Sequence, residues 1–418
     1  MIKKLRKFLK IVGPGVITGA SDDDPSGIAT YSQAGAQGGF SMLWTAPLTF
    51  PLMAGVQEMC ARVGLVTGHG LSGVLKKHYP SWVVYLLAAL VLFANTINIA
   101  ADIAGMAAAA NLLIPIPNFI LAVFFSGVII CLLIYAPYHL IANYLKWFTL
   151  ALFAYFIVPF AIRTDWLDVI YHTTLPNIKF DSLTITLFVA ILGTTISPYL
   201  FFWQASMEVE NKLDEIKAKV LKRWVVTKHE VRLMEEDVTL GMFFSNITMW
   251  FIIIATAVTL APSGIVNIET AEQAAAALKP IAGDFASLLF TLGIVGTGFL
   301  AIPVLAGSSS YVLSEAFGWE EGLNKPFHKA KKFYLVIIFS TIVGALINFI
   351  GLNPIKMLLY TAVIYGIVSP PLILVILHIA NNKKIMGDWT NGRISNYLGI
   401  STLFLMSFAA VAFFVVNL

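Results

Sequence analysis

Ser21-Asp22-Asp23-Asp24-Pro25-Ser26-Gly27 lies in the middle of an apolar segment, Gly13 to Phe40, that is long enough to cross a membrane. This heptapeptide rules out one continuous helix. Pro25 lacks a backbone donor and pushes Asp24 out of helical geometry, and Gly27 has no side chain to stiffen the turn. Carboxylates and freed backbone groups at mid-membrane depth are costly unless they are enclosed by protein or line a wet cavity. The stretch therefore reads as a broken helix that presents a cation site.

The rest of the chain fits that setting. With 58% hydrophobic and 12% charged residues over 418 positions, and a mean hydropathy of +0.82, it has the composition of a polytopic membrane protein. Cys60 and Cys131 both lie in apolar runs and provide no disulfide framework. Lys3, Lys4, Arg6, Lys7 and Lys10 precede a short apolar patch, as in a signal peptide. Gly13-Pro14-Gly15 interrupts that patch, so the segment is expected to stay in the mature fold.

At about 20 apolar residues per crossing, the spacing predicts eleven helices. They fall near 11–40 (broken), 42–66, 82–113, 117–136, 144–162, 183–207 (broken), 239–261, 285–316, 333–350, 354–380 and 394–417. With the N-terminus in the cytoplasm and the C-terminus outside, only Arg163, Lys179, Lys279 and Lys356 of the 27 Lys and Arg face outward. One span more or fewer would erase this asymmetry, so the positive-inside rule supports the register. The connection from Glu208 to Asp237 mixes acids with Lys212, Lys217, Lys219, Lys222 and Arg223. It reads as a solvated helical insertion rather than a nucleic-acid or lipid patch, and no nucleic-acid partner is expected. Ile268 to Leu278 reads as a short amphipathic or surface helix on the outer side. A single domain over residues 1–418 is expected, in a lipid bilayer, the plasma membrane of a bacterium.

Gly193-Thr194-Thr195-Ile196-Ser197-Pro198-Tyr199 is a second proline interruption, with hydroxyls able to satisfy freed carbonyls. On its own it is as readily a tolerated kink. Five spans separate the two breaks. Because five is odd, a repeated five-helix unit enters the membrane the opposite way the second time, as in many secondary transporters. The repeats would occupy 11–163 and 183–380, with 394–417 as an added helix and the substrate between the first and sixth spans.

These motifs resemble the Nramp family of divalent-metal transporters. The likeness is carried by Gly13-Pro14-Gly15, by Asp24-Pro25-Ser26-Gly27 through Gln33-Ala34-Gly35-Ala36, and by Gln57-Glu58-Met59-Cys60-Ala61-Arg62-Val63-Gly64. Ala101-Asp102-Ile103-Ala104 and Asn382-Lys383-Lys384-Ile385-Met386-Gly387 extend it over nearly the whole chain. The resemblance implies a LeuT-like five-plus-five inverted repeat. It also implies a metal site in which the family's aspartate maps to Asp24, its asparagine to Gly27 and its methionine to Ser197, with carbonyls from Ser21 and Thr194. Loss of the soft thioether favours hard ions, and a roomier site suits Mg²⁺, which sheds water reluctantly. The pattern is similar to the divergent Nramp-related magnesium transporters, which also carry Mn²⁺.

In proton-coupled members a histidine follows the helix 6 proline and an acid lies three positions after the helix 3 aspartate. Here those positions are Tyr199 and Gly105. Weak or absent proton coupling is expected, with proton-coupled Mn²⁺/Fe²⁺ symport as the alternative. Asp102 reads as a carboxylate facing the ion path, the other possibility being a buried partner for a helix-end amide or for Arg62. Asp22 and Asp23 point away from Asp24 and line the cytoplasmic approach or cap the break. Gln204 is equally a ligand to metal-bound water or a packing amide, and Ser308-Ser309-Ser310 reads as close helix packing. Glu58 and Arg62, four apart, read as an ion pair within one helix. No cofactor is expected, since the metal is cargo, and a monomer suffices for transport. Asp24 with Asp102 would serve an intramembrane aspartyl protease, but the Gly-x-Gly-Asp signature of such enzymes is absent. A channel would need repeated filter loops.

Overall fold

The computed structural model describes residues 13–135, 148–176, 181–217 and 224–417, and these are helical with no strand among them. The first span is two helices, α1 (Pro14–Asp22) and α2 (Pro25–Gly38), followed by α3 (Thr45–Thr67) and the short α4 (Leu71–His78). Next come α5 (Ser81–Asn111), α6 (Asn118–Tyr135), α7 (Phe153–Ala161) and α8 (Trp166–Thr174). The sixth span is again double, α9 (Ser182–Thr195) and α10 (Pro198–Lys217). The remainder is α11 (Lys228–Thr259), α12 (Ala286–Phe317), α13 (Lys331–Ile347), α14 (Pro354–Asn381) and α15 (Arg393–Asn417).

Each expected helix has a counterpart, although residues 11–12, 136 and 144–147 lie outside the described residues, as do Lys219, Lys222 and Arg223. Among the described residues eight helices, or nine with the bent pair α7–α8, are long and apolar enough to cross a membrane. The broken first span and α3 complete the expected eleven by position only, because Asp22, Asp23 and Asp24 in one and Glu58 and Arg62 in the other dilute their apolarity. Phe93, Phe124, Phe160, Phe339 and Phe404 are exposed, as lipid-facing side chains would be. Spans five apart pack together: α2 on α9 and α1 on α10, α3 on α11, α5 on α12 and α6 on α13.

Two details depart from the sequence reading, the connection before α11 and the end of the fifth span. The stretch from Glu208 to Asp237 is no separate insertion: α10 runs on to Lys217, and α11 begins at Lys228 behind a Thr227/Glu230 capping box. Glu208, Lys212 and Asp237 within it are buried, so its charges are not simply a wet face. Residues 268–278 hold the expected short amphipathic helix, Ala271–Ala275 capped by Thr270 and continued by a 3-10 turn, with Ile268, Ala274 and Leu278 buried and Glu269 and Glu272 exposed. The fifth span turns by 117° into α8, which Asp165 caps through the Leu167 and Asp168 amides.

The seat of α1 positions the site. Gly15 and Gly19 rest on Gly241 of α11 so closely that a Cβ on Gly19 would fall 2.2 Å from the Gly241 carbonyl oxygen. Small residues permit this backbone-to-backbone approach. Asp237 then caps α1 from the neighbouring helix, accepting from the Gly13 amide at 2.7 Å and the Gly15 amide at 2.6 Å. The carboxylate satisfies donors that a helix start leaves free, and it meets the positive end of the helix dipole.

Candidate functional site

The first break falls at Asp23-Asp24. Asp24 is extended (φ −70°, ψ 171°) and N-caps α2, its Oδ1 accepting from the Gly27 amide at 2.7 Å and from the Ser26 hydroxyl at 2.9 Å. Its Oδ2 accepts from Asn98 Nδ2 of α5 at 2.8 Å, and the same amide nitrogen donates to Asp102 Oδ2 at 3.1 Å. One amide thus ties together two buried carboxylates. Asp102 belongs to this pair and not to Arg62, which bonds Glu58 at 3.3 Å and Asn391 at 2.5 Å.

The second break falls at Ile196-Ser197. The Ser197 hydroxyl donates to the Thr194 carbonyl at 2.7 Å and to the Gly193 carbonyl at 3.0 Å, which satisfies oxygens that the interrupted helix leaves free. Gly27 brings the two breaks together. A Cβ there would meet Thr194 Oγ1 at 3.2 Å and the Asp22 carbonyl and Asp24 Oδ1 each at 3.3 Å. Asp24, Ser21, Gly27, Thr194 and Ser197 are therefore gathered at one buried crossing, with Asp24 only 1% exposed.

Tyr199 donates its hydroxyl to the Ser21 carbonyl at 2.9 Å. The Ser21 and Thr194 carbonyls each accept one protein hydroxyl and keep a second lone pair. Asp22 Oδ1, Asn98 Oδ1 and Asp102 Oδ1 are buried without a hydrogen-bond partner. Among the described residues no Lys, Arg or His pairs with Asp22, Asp23, Asp24 or Asp102. Buried acceptors with neither donor nor counter-charge are where a cation is stabilised.

The flanking residues close the site. Asp22 and Asp23 turn away from Asp24 toward α11, where Ser245 donates to them at 2.6 and 3.4 Å. Gln204 is a packing amide, accepting from Thr18 at 2.5 Å and donating to Glu208 at 2.9 Å, so it locks α1 to α10. On the opposite side Gln33 holds Val266 and Ile268 at 3.1 and 2.9 Å. Ser309 and Ser310 bond Asn95 of α5 and the Phe333 carbonyl of α13, as close packing requires. Position 105 stands among apolar atoms of Leu358 and Pro25. The described histidines belong to α4, α8, α14, the first turn of α11 and the loops, away from both breaks, and His139 lies outside the described residues.

Sequence reasoning missed Asn98, Ser26 and Ser245. Asn98 had a signal, since it stands one helical turn before Asp102 on the same face. Ser245 had none.

The sequence matches the family described as Nramp, natural resistance-associated macrophage protein-like, over residues 15–416. It is 26% identical over 411 residues to the divalent metal cation transporter MntH of Caldanaerobacter subterraneus, covering 95% of this chain and 90% of that one. To the MntH of Yersinia pestis it is 23% identical, covering 95% and 93%. In fold it is similar to a manganese transporter of Eremococcus coleocola, with a TM-score of 0.77 at 15% identity over 97% of this chain and 86% of that one. It is also similar to the nucleobase-cation-symport-1 transporter Mhp1 in a closed conformation, with a TM-score of 0.59 at 13% identity over 96% and 92% of the two chains.

Proposed function

The chain belongs to the Nramp family, and from that premise we propose that it is a divalent-cation transporter taking up Mg²⁺, and also Mn²⁺, as a hydrated ion without tight proton coupling. The Caldanaerobacter and Yersinia relatives carry the name divalent metal cation transporter, which denotes transport and not catalysis. The observation that carries the reading is the Asp24 carboxylate at the crossing of the two breaks, with Gly27 and Ser197 beside it. The atoms gathered there are carboxylate, carbonyl, amide and hydroxyl oxygens, which suit a hard cation. Gly27 contributes no side chain, and the Ser197 hydroxyl is turned back onto its own helix, so neither position supplies a soft ligand or an amide that would replace metal-bound water.

The two five-helix repeats, 11–163 and 183–380, move against each other in alternating access, and 394–417 is an accessory helix. The packing of spans five apart supports this division. With the N-terminus in the cytoplasm and the C-terminus outside, the membrane potential drives uptake. Two charges gain about 4.6 kcal/mol per 100 mV, more than a thousandfold in equilibrium accumulation. One copy of the chain contains the whole pathway.

A second reading, proton-coupled Mn²⁺/Fe²⁺ symport, has one observation in its favour: Asn98 joins Asp24 to Asp102, giving a proton a buried acceptor beside the metal. Proteoliposomes loaded with a Mg²⁺ indicator and a pH indicator separate the two. Saturable Mg²⁺ and Mn²⁺ entry with no internal acidification is expected. Acidification that tracks metal entry would establish symport instead.

A further inference from the structure

On the side that carries the lysine-rich connections, a cavity of about 170 Å³ lies between α10, the C-terminal end of α12 and the turn around Glu321. Ser206 and Glu210 of α10 line it, facing Glu315 of α12 and Glu321 of the turn. Lys217 and Lys325 also reach its wall, but Asp214 holds the first at 3.1 Å and Glu320 the second at 2.5 Å. Glu210, Glu315 and Glu321 are left with no cationic partner among the described residues.

The hydrogen bonding of the cavity is incomplete in a way that points to a ligand. Glu315 accepts from the Gly73 amide at 2.7 Å, and Glu210 Oε1 accepts from Tyr311 at 2.5 Å and the Leu323 amide at 3.0 Å. The other oxygen of Glu210, Oε2 of Glu321 and the hydroxyl of Ser206, a residue 3% exposed, are buried with no partner. The amides at the start of α4 compensate Glu315, whereas burial and the neighbouring Glu315 and Glu210 hold the Glu321 carboxyl well above the usual range, so with water alone it keeps its proton and with a cation it can release it. No three acidic, His or Cys side chains among the described residues converge closely enough to hold a bare ion. A ligand here must bridge the gaps with its own waters. Roughly 15 Å³ of free space admits one water, so the cavity takes an ion together with its first hydration shell.

We propose that this cavity is a second binding site, for a divalent cation held through its hydration shell by Glu210, Glu315, Glu321 and the Ser206 hydroxyl. The bound ion fastens α10 to α12. Because α10 also carries Gln204 and Tyr199, which hold α1 in place, occupancy keeps α1 seated and slows transport when the cation is plentiful on that side. The proposal does not depend on which ion is transported.

The test uses the full chain in detergent, with the transport site silenced by Asp24→Asn. MgCl₂ is expected to raise the melting midpoint of this variant by several degrees over NaCl of equal ionic strength. Adding Glu210→Gln and Glu321→Gln should abolish that shift, and in EDTA this protein should melt no lower than its parent because carboxylate repulsion is relieved. No Mg²⁺-specific shift in the Asp24→Asn protein, or a shift that survives the two added changes, overturns the proposal. If Asp24→Asn does not accumulate, Mn²⁺ bound per chain is counted by electron paramagnetic resonance. Two ions on the unaltered protein and one on the Glu210→Gln/Glu321→Gln protein support the site, and equal counts refute it. Uptake by the unaltered protein reports separately on the transport reading.

Discussion

Replacing Asp24 by asparagine separates two jobs that this carboxylate performs. As the N-cap of α2 it accepts from Gly27 and Ser26, and an asparagine oxygen can do the same. Asparagine and aspartate are about equally good N-caps, whereas alanine costs about 1 kcal/mol. Folding should therefore survive Asp24→Asn and be weakened by Asp24→Ala. As a counter-charge it has no substitute. An ion of charge two at about 4 Å from one carboxylate gains about 8 kcal/mol at an effective dielectric constant of about 20. Desolvation returns much of this, but even a third, about 2.7 kcal/mol, is roughly a hundredfold in affinity. Initial rates of Mg²⁺ entry into proteoliposomes, at substrate well below saturation, should fall about a hundredfold for Asp24→Asn, while its melting temperature stays near that of the unaltered protein. A variant transporting within threefold of normal would refute the assignment of Asp24 to the ion.

Three further outcomes are expected. Gly27→Asn with Ser197→Met should shift competition profiles toward Mn²⁺, Fe²⁺ or Cd²⁺ over Mg²⁺, because a thioether enters and the new Cβ crowds Thr194 at 3.2 Å; an unchanged profile in a competition series counts against the ligand argument. Asp102→Asn should keep Mg²⁺ entry within a few-fold and leave its pH profile flat, since Asn98 retains an oxygen to donate to; a collapse of uptake that depends on external pH would favour symport. Asp237→Ala removes two charge-assisted hydrogen bonds at 2.6 and 2.7 Å, about 3 kcal/mol together. It should raise the labelling rate of a cysteine placed at Thr18 by well over tenfold, and an unchanged rate would show that the cap does not hold α1.

What was legible in the sequence was covalent and local. Pro25 and Pro198 each open a helix, where a missing donor costs little, and both breaks fall where they were expected. Pro51, Pro159, Pro303, Pro370 and Pro371 lie inside continuous helices, so it is the flanking carboxylates and hydroxyls, not proline alone, that mark the two interruptions. The spacing of apolar runs likewise places the helices. The partners of the site were not legible, because Asn98 reaches Asp24 across 74 residues and Ser245 reaches Asp22 across 223. The charged run after α10 misled for the same reason. Asp237 looks like a solvated acid until α1 supplies its amides, and Lys212 until Glu230 and the Val225 carbonyl enclose it. The early start of α11 was readable from Thr227 and Glu230, three apart, but the apolar window that locates a crossing opens only some ten residues later.

The seat of Gly15 and Gly19 on Gly241 leaves no flexible side chain between two rods to absorb a small displacement. Sliding by a fraction of an ångström would drive backbone into backbone, so the first helix has two options, fully docked or fully lifted. The gate on that side should then behave as a switch with discrete positions, and single-molecule recordings of its angle should show dwell times between two levels rather than a continuum.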